Sequence, residues 1–413
     1  MADEKEPSLC QRCHKDPASQ DVRTQKLCDE CFTIYIRTRP IKRLEALRGN
    51  IKLPPSRPRA SEHEPSNRTT TTQTRASAPP TYILALSGGA SSLSLLHALD
   101  VHIAGMKAKT GRASYALVAL HVVTHSAPHS HSAAMDRLKA AFPSVQFETI
   151  SLSQSLDSWP APPPLVAQIE HYTSLSPEER LAALRGRALS PTALADLDSA
   201  LLSHALVSFA QSYGRGVVLL GSSGTRLAAL TLSETAKGRG GAVVAALDEG
   251  GGPLGDGVRA YYPMRDLLRN DVVAYTSVAT VGGKTLDGLL FGEEGGETGG
   301  RVRALKNTPI DALAGTYFAD VERKYPGIVH NVVRTVGKLD YGSAAGGMYT
   351  GREGRRRCPC CGEVLDHSGT AGLDAGQAGQ GGAAVDRSPA QGRDMCARCE
   401  RDFGVDALET GPT

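Results

Sequence analysis

No cysteine stands between Cys31 and Cys358, and all nine cysteines fall in two terminal clusters. The middle of the chain therefore has no thiol for covalent chemistry or metal ligation. Long apolar runs are also missing. None approaches the ~20 residues of a membrane-spanning helix, and stretches such as residues 115–123 have strand length, so no span is expected. Residues 1–7 are acidic and contain no apolar stretch that could act as a signal sequence, so a cytosolic location is expected. In that setting the triplet Asn67-Arg68-Thr69 has no meaning as a glycan acceptor. Excess charge of one sign is scarce too: 46 Lys and Arg against 43 Asp and Glu leave +3, too little to mark the whole chain as a nucleic-acid binder.

What is present is enough for one sizeable α/β core with accessory pieces: 413 residues, 40% of them hydrophobic. The 44 glycines and 24 prolines gather in a few stretches, which suggests a globular body with flexible insertions. One basic block stands out. Residues 37–59 hold eight Lys or Arg and a single acid, Glu45, a composition that suits either a solvated linker or phosphate contact. The Ser/Thr/Pro/Arg-rich segment that follows has no periodicity and reads as a linker.

The first cysteine cluster is Cys10-x2-Cys13 and, fourteen residues on, Cys28-x2-Cys31. Each Cys-x2-Cys turn directs two thiolates at one ion, and two turns complete the tetrahedral sulfur shell of a structural zinc. An iron–sulfur cluster is the alternative occupant. The second cluster is Cys358-Pro359-Cys360-Cys361-Gly362 with Cys396-x2-Cys399, separated by 34 residues that are poor in apolar side chains. Its pattern is that of a zinc knuckle with Cys358, Cys361, Cys396 and Cys399 as ligands. Cys360 sits between ligand positions, and spacing alone leaves it able to replace a neighbour.

A third feature is a phosphate-binding layout. The apolar run 82–86 predicts a strand, Ser87-Gly88-Gly89-Ala90-Ser91-Ser92 a glycine turn, and Leu93, Leu96 and Leu99 a helix. Paired glycines let backbone amides wrap an anion at a helix start, and the hydroxyls of Ser87 and Ser92 add hydrogen bonds. This is not a Walker loop, and the Gly-Lys-Thr at 283–285 does not make one because Val278 occupies the first glycine position.

The loop resembles the Ser-Gly-Gly-x-Asp-Ser signature of PP-loop ATPases, with Ser91 in place of the aspartate. After the predicted strand 217–220, where that family has a glycine followed by a polar pair and two acids, the sequence reads Gly221-Ser222-Ser223-Gly224-Thr225-Arg226. Together with Ala236-Lys237-Gly238-Arg239-Gly240, Pro263-Met264-Arg265-Asp266, Val333-Arg334-Thr335, Lys338-Leu339 and the paired cysteines at both ends, the chain is similar to the cytoplasmic tRNA 2-thiolation protein 2 family. The resemblance implies a heterodimer with a catalytic PP-loop subunit that adenylates the wobble uridine and takes sulfur from a thiocarboxylated ubiquitin-related modifier. It implies lysine, glutamate and glutamine tRNAs as substrates. Without its carboxylates the loop lacks groups to position magnesium. ATP can still bind it, while catalysis is not expected and no catalytic residue is assigned.

The expected architecture is an α/β, PP-loop ATPase-like parallel sheet with zinc modules at either end. An N-terminal zinc-ribbon-like module spans 1–53, a linker 54–81, the PP-loop domain 82–342 and the C-terminal knuckle region 343–413. Arg226, Lys237 and Arg239 follow the 217–220 strand, where doubly wound sheets place ligands, and are candidates for tRNA or partner contact. His121, His125, His129 and His131 read as a strand residue and a loop group rather than a metal set. Arg265 and Asp266 are candidates for an internal ion pair. Two other classes remain: an autonomous ATP-dependent adenylating enzyme, and a zinc-bearing RNA-binding scaffold unconnected with thiolation.

Overall fold

The structure is a computed structural model that describes residues 8–22, 25–48, 79–124, 128–214, 216–240, 243, 247, 252–255, 257–291, 308–339, 358, 360 and 395–405. Cys361, His125, the Asn67 triplet, residues 54–78 of the linker, the 295–300 glycine stretch and the spacer of the second cysteine cluster up to residue 394 lie outside the described residues.

A hairpin, β1 (Gln20–Val22) and β2 (Gln25–Leu27), leads into helix α1 (Asp29–Arg48). The body continues with β3 (Thr81–Ala85), α2 (Ala90–Thr110), β4 (Ala116–Val123), α3 (Pro128–Ala141) and β5 (Gln146–Ser151). Next come α4 (Pro163–Val166), α5 (Pro177–Gly186), α6 (Pro191–Ser212), β6 (Val217–Leu220) and α7 (Gly224–Ala236). They are followed by β7 (Gly252–Gly255), β8 (Val258–Tyr261), α8 (Arg269–Val278) and a small hairpin, β9 (Thr280–Val281) and β10 (Lys284–Thr285). Helices α9 (Ile310–Lys324), α10 (Pro326–Val336) and α11 (Ala397–Asp402) complete the chain. His129 and His131, read from sequence as loop residues, fall in the first turn of α3.

The main sheet has the order β5-β4-β3-β6-β8-β7, parallel except for the edge strand β7. The inner strands β3, β4 and β6 are apolar at nearly every position because both faces are covered, which the two-residue period of a strand makes visible. Tyr82, Leu84, Leu117, Ala119, Val217 and Leu219 point into one cluster, and Ile83, Leu120, Val122, Val218 and Val258 into the other. This is the expected parallel α/β architecture. Because β4 and β6 flank β3 on opposite sides, the carboxyl ends of β3 and β6 form the crevice where such sheets take ligands.

Each cysteine cluster belongs to one of these faces. Cys10, Cys28, Cys31, Phe32, Ile36, Ile41, Leu44 and Leu47 share a hydrophobic cluster with Leu93, Leu96 and Tyr275. Cys358, Cys360, Met395, Cys399, Phe403 and Val405 share the opposite cluster with Leu184, Leu197 and Leu201. The N-terminal module is thus continuous with the body's core, and Arg43 of α1 adds a 3.0 Å ion pair to Asp266. On the other face, Leu189 N–H donates to Asp402 O at 3.0 Å.

Among the described residues one helix, the 22-residue α6, has the length and apolarity of a membrane span. Its Leu197, Leu201, Ala205 and Leu206 are buried in the second core cluster and its Asp196 is held in an ion network, so in this fold it is a core helix.

Where α1, α2 and α8 meet, the buried His97 ring lies 2.8 Å from the Tyr275 hydroxyl. Burial pushes its pKa down to about 4 from 6.5, and the nearby Arg37 adds to the effect. The folded chain therefore keeps His97 neutral at pH values where the unfolded chain protonates it, and the unfolded state binds the extra proton between about pH 6.5 and 4. This contribution is complete above that window and is lost as pH falls through it, about 3 kcal/mol in all. Unfolding free energies from urea titrations at pH 7 and pH 4 are expected to differ by ~3 kcal/mol more in the unsubstituted protein than in His97→Gln.

Candidate functional site

The glycine turn follows β3 where the strand pattern ends. Leu86 N–H still pairs with Leu120 O at 2.8 Å, and beyond it the chain turns at Gly88, whose φ of +80° is the left-handed region that favours glycine. Gly89 in extended geometry then starts α2. The loop is closed on itself. Ser87 Oγ lies 3.1 Å from Ser92 Oγ, Gly89 N–H donates to Ser87 Oγ at 3.4 Å, and Ser92 Oγ–H donates to Gly89 O at 3.1 Å. Ser87, Gly88, Gly89 and Ser92 therefore lie together at the start of α2.

The second loop packs directly against the first. A Cβ on Gly221 would lie 2.7 Å from Ser92 Cα and 2.8 Å from Ser92 N, so only glycine lets the end of β6 back onto the start of α2. Gly224 makes a similar approach, with its N–H donating to Leu267 O at 2.8 Å, and Ser223 Oγ caps α7 by accepting from Arg226 N–H at 3.3 Å. Gly221→Ala is expected to cost ~1–3 kcal/mol of stability, read from the urea midpoint, because backbone has to move.

Phe291 covers the loop, and sequence reasoning missed it. Its ring atoms lie as close as 2.2 Å to where a Gly88 Cβ would be, and its N–H donates to Gly88 O at 3.1 Å. The buried His121 stands edge-on to that ring at 5.0 Å between centroids, with Nδ1 2.9 Å from Leu86 O. One side of the cradle is thus hydrocarbon. Ser87–Ser92 and Gly221–Arg226 together contain no carboxylate.

Of the three candidate contact cations, only Arg226 is exposed. Lys237 and Arg239 turn inward, and this corrects the expected surface role. Arg239 makes a fork to both oxygens of Asp196 at 2.9 Å each and a second to Glu234 at 2.6 and 2.9 Å. Lys237 Nζ, on a side chain only 2% exposed, donates to Asp196 at 2.8 Å, Glu234 at 3.0 Å and Asp311 at 2.8 Å. Burial opposes charge on Lys237 and Asp196, but their partners outweigh it: the Lys237 pKa is raised and the Asp196 pKa lowered. The network ties α6, α7 and α9 together. Nearby, Asp266 is engaged by Arg43, and the buried Arg265 donates to Leu247 O at 3.0 Å.

The N-terminal cysteines fit a metal. Their four Sγ atoms lie within 4.8 Å of one another, and Cys13 Sγ is 3.8 Å from Cys28 Sγ, the edge of a tetrahedron with ~2.3 Å metal–sulfur bonds. Burial pushes the Cys10 thiol up, but hydrogen bonds from the backbone of Cys13, Cys28 and Arg12 outweigh it and bring it down to about 6. Burial and then the neighbouring sulfurs drive Cys31 up to about 12. Four thiolates cannot share this volume without a cation, and zinc-type ligation removes the conflict. At the other end Cys358, Cys396 and Cys399 form a similar group, with Cys396 Sγ accepting from Cys399 N–H at 3.5 Å. Cys360 is buried beside them, and the Cys358 sulfur pushes its thiol up.

A family model described as cytoplasmic tRNA 2-thiolation protein 2 matches residues 309–402. A protein of that name from Phaeosphaeria nodorum is 31% identical over 400 residues, covering 96% of this chain and 94% of the relative. The chain belongs to the cytoplasmic tRNA 2-thiolation protein 2 family. A second member, from Pyrenophora tritici-repentis, is 33% identical and covers 80% of each chain. Among solved structures the chain is similar to the U34-tRNA thiolase NcsA from Methanococcus maripaludis, determined with its [4Fe-4S] cluster. That likeness has a TM-score of 0.49 and 12% identity over 86% of this chain and 92% of the thiolase. The alignment with the Phaeosphaeria nodorum relative, at 96% of this chain, includes the glycine loop.

Proposed function

We propose that this chain is the non-catalytic subunit of the cytosolic complex that thiolates the wobble uridine, U34, of lysine, glutamate and glutamine tRNAs. It acts as the heterodimer partner of a catalytic PP-loop subunit that receives sulfur from a thiocarboxylated ubiquitin-related modifier. The observation that carries this reading is the glycine loop, which keeps its amide cradle while lacking any acid in either motif. Magnesium-assisted adenylation needs carboxylates to hold the ion against the phosphates, and serine and glycine cannot supply them. The loop's closed hydroxyl pair and its Phe291 cover suit a structural role. Zinc at the two cysteine clusters, with Cys361 as fourth ligand of the second, would hold the terminal segments against opposite faces of the sheet.

Cells lacking this gene are expected to lose 2-thiouridine from these tRNAs when digested nucleosides are measured by mass spectrometry. Normal thiouridine there would overturn the reading and favour an unconnected RNA-binding scaffold. The chain purified from its own cells is expected to carry a stoichiometric PP-loop partner and ~2 zinc ions per chain by elemental analysis.

A further inference from the structure

The hydroxyls of the glycine loop form a relay that starts and ends on Gly89. Gly89 N–H donates to Ser87 Oγ at 3.4 Å, and the Ser92 hydroxyl donates to Gly89 O at 3.1 Å. The Ser87 hydroxyl then donates across the 3.1 Å that separates it from Ser92 Oγ. A serine hydroxyl has one proton, so both side chains that would donate to a phosphate oxygen are already engaged inside the loop.

Phe291 adds a steric barrier. Its ring carbons Cγ, Cδ2 and Cδ1 lie 2.2, 2.3 and 2.8 Å from where a Gly88 Cβ would stand. Gly88 is buried although Ser87 beside it is exposed, and Phe291 is half-buried, so the ring covers Gly88 at the surface of the fold. The ring is also held in place. Leu286 and Leu289 of the short turn before it are buried, Leu286 N–H donates to Ala279 O at 3.0 Å, and His121 of β4 meets the ring edge-on. On the β6 side the backbone of Gly221 closes against Ser92. A phosphate oxygen has to come within about 2.7–3.2 Å of the amides, and setting its charge against a hydrocarbon wall strips water from it without replacement.

We propose that Phe291 is a built-in plug of the glycine loop: the native chain takes neither ATP nor pyrophosphate there, and removing the ring opens the loop to pyrophosphate. The first-turn amides of α2 are the donors that the anion meets once the ring is gone. The inference deepens the non-catalytic role proposed above, adding occlusion to the missing carboxylates. It is tested without tRNA or partner, so its failure leaves the thiolation reading standing, and normal thiouridine in cells lacking the gene leaves the plug standing.

ATP and inorganic pyrophosphate are titrated calorimetrically, in magnesium-free buffer, into the full-length chain with its metals retained and well below the melting temperature of each variant. The unsubstituted protein is expected to have a Kd above ~1 mM for both, and Phe291→Ala to bind pyrophosphate at least ~tenfold more tightly than that limit. Phe291→Leu keeps most of the side-chain volume and is expected to stay above ~1 mM. Should Phe291→Ala not fold, Phe291→Val vacates part of the same space and takes its place with the same expectation. Binding of either anion by the unsubstituted protein with a Kd below ~1 mM overturns the plug. A folded Phe291→Ala or Phe291→Val that gains nothing does so too. An equal gain in Phe291→Leu also overturns it, because a loosened loop and not vacated space then admits the anion.

Discussion

Cys28→Ser is expected to destabilise the whole body, not only the N-terminal ribbon. Cys28 is 4% exposed and lies in the same hydrophobic cluster as Phe32 and Ile36 of α1 and Leu93 and Tyr275 of the α/β body. Zinc binding to a structural four-cysteine site contributes roughly 10–16 kcal/mol of apparent folding free energy. A protein's net stability is about 5–15 kcal/mol, so losing the site removes an amount comparable with the total. Chelation should act in the same direction, since it leaves three buried thiols and the half-buried Cys13, whose ionised forms repel one another. Thermal unfolding by circular dichroism is expected to show a fall of at least ~10 °C for Cys28→Ser or after chelation. Zinc is expected to drop by one ion per chain in the variant. An unchanged melting curve after complete removal of the N-terminal metal would contradict a structural role for it.

The second large effect is expected at Asp196. Removing its carboxylate leaves the Arg239 guanidinium with one fork unfilled and Lys237 with one partner fewer, both almost fully buried. Breaking a buried ion pair on one side costs ~3–5 kcal/mol, because the remaining charge is desolvated without compensation. Asp196→Ala is expected to lose that much in urea unfolding, whereas Arg226→Ala, an exposed cation, is expected to change it by less than ~0.5 kcal/mol. Losses of equal size at the two positions would mean that the Asp196 network does not hold the helices.

These contrasts explain what could be read in advance. The Cys-x2-Cys pairs and the strand–glycine turn–helix layout are local, and each signal lies within a few residues, so the clustering of the cysteines and the glycine turn were legible. That the sheet is parallel followed from the apolar runs and the family resemblance. Contacts between distant residues were not legible. Nothing near Gly88 in sequence announces Phe291, which begins a stretch that looks like an insertion. Lys237 and Arg239 look like a solvated basic turn until Asp196 and Asp311, from other helices, are folded onto them. Glu322 shows no local sign of holding the starts of α7 and α8. The composition of residues 54–78 suggests a separate N-terminal module, yet α1 packs into the body's core through Ile41, Leu44 and Leu47. The start of α3 was missed because Ser, Pro and His are common in loops, while a proline at a first helical turn is equally at home.

The central claim is that a phosphate cradle without carboxylates cannot complete adenylation and needs another polypeptide for turnover. The direct test is to incubate the purified chain, free of its partner, with ATP, a sulfur donor and lysine tRNA, and to measure pyrophosphate release and 2-thiouridine together. The account predicts neither product above the protein-free control, and both once the catalytic subunit is added. Thiolated tRNA made by this chain alone would contradict it.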